Sequence, residues 1–147
     1  MTALQQIPVA QGLFQGTGDD ARLIGSHCAS CGAHYFPKSL SCRNPQCSEK
    51  QVHDVLLGRC GTLYSYTEQA YRPPPLFRMD DWSPYLIGLV ELPEGLRVMG
   101  MLTGCTRETV RIGMALELVL EALYADAAGQ QVLTYKFRPV TGQGGAA

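Results

Sequence analysis

Cys28-x2-Cys31, a gap of ten residues and Cys42-x4-Cys47 carry the most specific chemistry in this chain. Each short pair can present two sulfurs to one side of a metal through a tight turn, and the intervening segment brings the second turn round to complete a tetrahedron. This is the ligand arrangement of a structural Zn(II) site. Gly32, directly after Cys31, suits a knuckle whose backbone turns through positive φ. The second pair has a longer spacer, Arg43-Asn44-Pro45-Gln46, still within ligand range. Two disulfides would use the same four residues, but the chain lacks a secretory signal, and a reducing compartment favours metal. His27 and His34 are alternative ligands nearby, displaced by the four thiolates available. Four thiolates close the metal's coordination shell, so the expected role is structural rather than catalytic.

The remaining candidates for chemistry are weaker. Cys60 or Cys105 paired with His53 could in principle form an acyl-thioester, yet nothing flanking either cysteine marks an activated thiolate, and both are expected to be buried. No acid/base pair with an oxyanion hole can be assembled, so no catalytic residue is assigned. Arg72 and Arg78 flank a proline-stiffened stretch and could give bidentate hydrogen bonds to phosphates, with Phe77 or Trp82 covering a flat or narrow ligand. The same residues also suit a subunit interface.

These side chains must be placed by 147 residues, enough for one domain or a small module beside a modest one. Residues 1–22, glycine-rich, read as a loosely structured arm. Residues 23–57 hold the cysteines and too few apolar residues for an independent core, so metal must supply their stability. From 58 to 140, β patterns follow one another. Residues 61–71 alternate, with Tyr64 and Tyr66 on one face; 85–92 is almost continuously apolar, as in a strand buried on both sides; Pro93-Glu94-Gly95 turns it into 96–102. Leu116, Leu118 and Leu120 alternate with Glu117 and Glu121, and Leu133, Tyr135 and Phe137 with Thr134, Lys136 and Arg138, ending at Pro139. Residues 106–110 allow a short helical turn. Five such strands make an all-β protein with a small closed barrel, OB-like or SH3-like by strand count alone. Residues 71–84 are the expected binding loop, and 141–147 a mobile tail.

The net charge of −1 and pI near 6.3 offer nucleic acid or an anionic membrane no general attraction. No stretch has the length of a membrane span, and the compartment expected is the cytoplasm. A single-stranded nucleic-acid module, with Tyr64 and Tyr66 stacking bases, is the alternative reading.

The runs Ile24-Gly25-Ser26-His27-Cys28-Ala29-Ser30-Cys31-Gly32, Phe36-Pro37-Lys38 and Gly61-Thr62-Leu63-Tyr64-Ser65-Tyr66-Thr67 resemble a zinc-ribbon plus OB-fold family associated with acyl-CoA enzymes. Residues 84–92, Met99-Gly100-Met101-Leu102, 110–114 and Phe137-Arg138-Pro139-Val140 follow in the same order, so the resemblance covers residues 22–140. It implies a rubredoxin-like zinc ribbon followed by a five-stranded OB-fold barrel. It also implies an accessory role: a hetero-oligomer with a thiolase-like subunit that carries out thiolysis, condensation or retro-aldol cleavage of CoA thioesters. Coenzyme A or an acyl-CoA is then the shared ligand, and Arg72, Phe77, Arg78 and Trp82 its candidate contacts. A short chain with no fused hydratase domain looks most like the small subunit of a benzoylsuccinyl-CoA thiolase.

Overall fold

The computed structural model describes residues 6–80 and 82–140, so the expected tail at 141–147 lies outside the described residues. Strands β1 (Gln6–Pro8) and β2 (Phe14–Gln15) precede a 3-10 turn at Gly18–Asp20. Then come β3 (Arg22–Cys28), β4 (His34–Tyr35) and β5 (Val52–Leu56), which make the ribbon. The barrel strands are β6 (Cys60–Gln69), β7 (Tyr85–Glu91), β8 (Arg97–Leu102), β9 (Ala115–Ala125) and β10 (Gln131–Pro139).

The barrel closes because β6, β7 and β8 run antiparallel in sequence, β8 pairs parallel with β10, β10 pairs antiparallel with β9, and β9 returns to β6. The parallel β8–β10 contact and the order 6-7-8-10-9 are those of an OB-fold, which resolves the choice that strand count left open. Alternation of side chains sends Leu86, Val90, Val98, Leu102, Leu116, Leu118 and Phe137 into the centre. Gly100 leaves room there for both rings: a Cβ would lie 3.0 Å from those of Phe137 and Tyr135, which would have to shift.

Two expectations change at the N-terminal end. Within the arm, β1 adds to β10 as a parallel sixth strand and β2 pairs with β3, because Ile7, Val9 and Leu13 find an apolar patch around Leu123 and Val132. The ribbon also does not rest on metal alone. Leu23 and Leu57 are fully buried in the same core cluster as the barrel leucines. Arg59 fastens the two parts, donating from Nη1 to the Ala21 carbonyl and from Nη2 to that of Leu118 at 3.2 Å.

Three strand details depart from simple alternation. A bulge at Tyr64 shifts the β6–β7 register between Leu63 and Ser65, leaving Tyr64 and Tyr66 exposed. Cys60, expected to be buried, is exposed at the start of β6. The run 85–92 alternates after all: Leu86, Gly88 and Val90 are buried, while Tyr85, Ile87 and Leu89 are half-buried on the outer face. The residues 106–110 make one turn, closed by the Val110 N–H on the Thr106 carbonyl at 2.8 Å.

Candidate metal centre and ligand cleft

The two cysteine turns meet at one end of the ribbon. Gly32 adopts φ +82°, and its N–H bonds the Cys28 carbonyl at 2.8 Å, forming the first knuckle. The longer second turn is organised by Asn44, whose Oδ1 accepts from the Gln46 N–H at 3.0 Å while its carbonyl accepts from the Cys47 N–H at 3.0 Å. Lys50 Nζ closes it, donating to the carbonyls of Cys42 at 3.0 Å and Asn44 at 3.2 Å. The Sγ atoms of Cys28, Cys31, Cys42 and Cys47 all lie within 4.8 Å of one another, with Cys28–Cys47 at 3.7 Å and Cys31–Cys42 at 3.5 Å. Bonds of about 2.3 Å from a tetrahedral Zn(II) put sulfurs roughly 3.8 Å apart, so the cluster fits that ion.

Electrostatics point the same way. The Cys31 backbone N–H draws the Cys28 thiol down to about 6. Cys42 is lowered chiefly by the Tyr35 hydroxyl, which stands 3.3 Å from its sulfur and itself accepts from the Arg43 N–H at 2.8 Å. The Lys50 N–H acts to lower Cys47, but burial and the three neighbouring sulfurs push it up to about 11. The pull on Cys28 and Cys42 favours thiolate, while the crowding that raises Cys47 is what a shared cation would relieve. Tyr35 and Lys50 were not picked out from sequence as parts of this site.

A second concavity, of about 370 Å³, opens where ribbon and barrel meet. Phe36 and Pro37 of the ribbon form one wall, Pro74 and Phe77 of the 70–84 loop another. Tyr85 and Ile87 on β7, Met99 and Met101 on β8, and Thr134 and Tyr135 on β10 form the floor. Phe36 meets Tyr135 edge-on, with ring centroids 5.6 Å apart. Tyr135 Oη donates to the Met99 carbonyl at 2.8 Å, and burial pushes its hydroxyl up to about 12, so it stays neutral. The half-buried outer residues of 85–91 explain the continuous apolar run: one face fills the barrel and the other lines this cleft.

The four loop residues expected to bind ligand each make their own contacts. Phe77 lines the cleft. Arg78 lies on Tyr124, its guanidinium carbon 3.8 Å from the ring centre, and Arg72 lies 5.5 Å from that of Trp82. Asp80 ties the loop to the end of β9 by accepting from the Ala125 N–H at 3.1 Å. Tyr124, Met99 and Tyr135 were missed as site residues because each reads in sequence as an ordinary strand position.

A four-cysteine ribbon seated on a closed OB barrel defines the class. Comparison with known families agrees: residues 18–53 match the ChsH2 rubredoxin-like zinc ribbon domain and residues 54–121 the ChsH2 C-terminal OB-fold domain. A DUF35 domain-containing scaffold protein of Methanocaldococcus jannaschii is 34% identical over 120 residues, covering 80% of this chain and 82% of the relative. The benzoylsuccinyl-CoA thiolase subunit BbsA of Thauera aromatica is 30% identical over 118 residues, covering 80% and 76%. Among solved structures, the Ltp2-ChsH2(DUF35) aldolase matches with 34% identity and a TM-score of 0.56, covering 80% of this chain and 84% of that one. The chain belongs to the ChsH2-type, or DUF35, family of zinc-ribbon and OB-fold proteins.

Proposed function

We propose that this chain is a zinc-binding accessory subunit of a thiolase-like acyl-CoA enzyme, supporting its assembly and its binding of CoA. In this reading Cys28, Cys31, Cys42 and Cys47 hold a structural Zn(II), and the partner carries the chemistry. Relatives named as a thiolase subunit, a scaffold and part of an aldolase support the accessory role. A shell closed by four thiolates leaves no metal position for substrate. Burial pushes the Cys105 thiol up, the opposite of nucleophile activation. Tyr71, Leu76, Met99 and Ile112 are exposed and of the kind that subunit interfaces bury.

The observation that carries the CoA assignment is the apolar cleft at the ribbon–barrel seam, walled by the 70–84 loop. A pantetheine arm or acyl group suits such a lining. Arg72 and Arg78 then meet the phosphates, and Phe77 and Trp82 contribute flat apolar faces. The test is an Arg72→Ala/Arg78→Ala variant in a complex that still assembles with its thiolase-like partner. CoA affinity is expected to fall by about 1 to 3 kcal/mol, the range for hydrogen bonds to charged groups. Unchanged affinity and an unchanged CoA Michaelis constant would remove the loop from CoA binding. Failure to form a stable complex with a thiolase-like protein, together with salt-dependent binding of single-stranded DNA, would overturn the subunit reading in favour of a nucleic-acid module.

A further inference from the structure

The chain has three histidines, and the ribbon sheet puts all of them in one row. His27 on β3 stands opposite His34 on β4 and, across its other edge, opposite His53 on β5. Residues directly opposite in antiparallel strands project to the same face, so the three imidazoles share one side of the sheet. It is the side away from the sulfur cluster: Cys28, the next residue along β3, points the other way, as do Ser26 and Tyr35. We infer that His34, His27 and His53 form a second, exchangeable site for a transition-metal dication of the imidazole-preferring class, Zn(II), Ni(II) or Cu(II).

Spacing and donor chemistry carry this assignment. The His27 and His34 rings are close neighbours, their centroids 4.5 Å apart and their planes inclined at 33°, so the two imidazoles are within reach of one ion once they turn their nitrogens toward it. Strands lie about 4.8 Å apart, so His34 and His53 are separated at the backbone by roughly 10 Å. Two imidazoles leaning inward over His27 span that distance. As placed, the three rings do not converge on one point; closing the set takes rotation of the side chains, with His53, exposed at the sheet edge, the freest to turn. The next row on the same face is Gly25 and Val55, with Phe36 beyond His34 along the chain. No carboxylate stands in that row, and Asp54 projects from the opposite face toward Lys38. An imidazole-only set over an apolar neighbourhood selects against Mg(II) and Ca(II), which need oxygen ligands. Water completes the coordination, which makes the site open and labile where the thiolate site is closed.

The test uses the reduced full-length chain with one zinc already bound, titrated with Ni(II) while ring protons of the histidines are followed by NMR and released zinc by an indicator dye. One saturable equivalent of Ni(II) is expected, broadening all three histidines together, with no zinc released. His53→Gln, at the exposed edge, is expected to weaken binding about tenfold or more while zinc content stays at one per chain. His27→Gln, next to Cys28, is expected to abolish the equivalent, and circular dichroism checks its fold. Absence of a saturable equivalent, release of zinc on titration, or wild-type affinity in His53→Gln would each overturn the assignment.

Discussion

Replacing Tyr35 by phenylalanine removes one oxygen atom that serves the metal centre twice. Its hydroxyl stands 3.3 Å from Cys42 Sγ, placed to donate to that sulfur once it is a metal-bound thiolate, and accepts from the Arg43 N–H at 2.8 Å. The second bond is solvent-exposed, so water replaces it at little cost. The first is a hydrogen bond to a charged acceptor, worth about 1.5 to 3 kcal/mol. At 1.36 kcal/mol per factor of ten, its loss weakens zinc binding by roughly ten- to a hundredfold, the same range found when groups that support a metal's ligands are removed. The pH dependence has a definite sign. The Tyr35 hydroxyl lowers the Cys42 thiol, so the variant raises it, protons compete with zinc more effectively, and metal is released at higher pH on acidification. Chelator competition at neutral pH gives the affinity, and an acid titration with a zinc indicator gives the midpoint. A variant with wild-type circular dichroism, affinity within about twofold of the parent and an unmoved midpoint would refute the claim that this hydroxyl supports the thiolate.

Two further outcomes follow from the same structure. The Cys28→Ser/Cys42→Ser chain is expected to lose zinc and the hydrogen-exchange protection of residues 26–52. The Leu57 N–H, bonded to the Leu23 carbonyl at 2.9 Å in the barrel core, is expected to stay protected; bound zinc or intact ribbon protection would count against the metal assignment. Tyr135, pushed up to about 12 by burial, favours folding fully below pH 10 and loses that contribution as pH rises toward 12. Unfolding titrations of wild type and Tyr135→Phe are therefore expected to diverge in slope across that window by a total of about 2 to 3 kcal/mol, and parallel curves would contradict it.

The convergence of the four cysteines was legible because their spacing is a local property: two short turns fix where four sulfurs go, whatever surrounds them. The barrel strands were legible for a similar reason, since alternation at Leu116, Leu118 and Leu120 and the Pro93-Glu94-Gly95 turn report local geometry. What sequence hid was decided by distant neighbours. The pairing of Gln6–Pro8 with β10 depends on an apolar patch more than a hundred residues away. Cys60 looked buried by residue type, but its place at the mouth of β6 exposes it. The apolar outer face of 85–91 was read as general burial, because nothing in the sequence shows that Phe36 and Phe77 stand across from it with a gap between.

That gap ties the two halves of the candidate site together. Tyr35 reaches the cysteine cluster through its hydroxyl, and the very next residue, Phe36, points to the opposite face and forms a wall of the cleft. One peptide unit therefore separates the cysteine cluster from the cleft. Barrel packing fixes Leu23 and Leu57 at the near end of the ribbon, but β4 is only two residues long, and its outer end is held by the sulfur cluster with Tyr35 and Val52. The pairing of β4 with β3 and the packing of Phe36 against the barrel core hold the other side of the strand in place. Under the proposed function, the cysteine cluster through Tyr35 and the barrel core through Phe36 act on adjacent residues, and together they set where one aromatic wall of the cleft stands relative to the barrel floor.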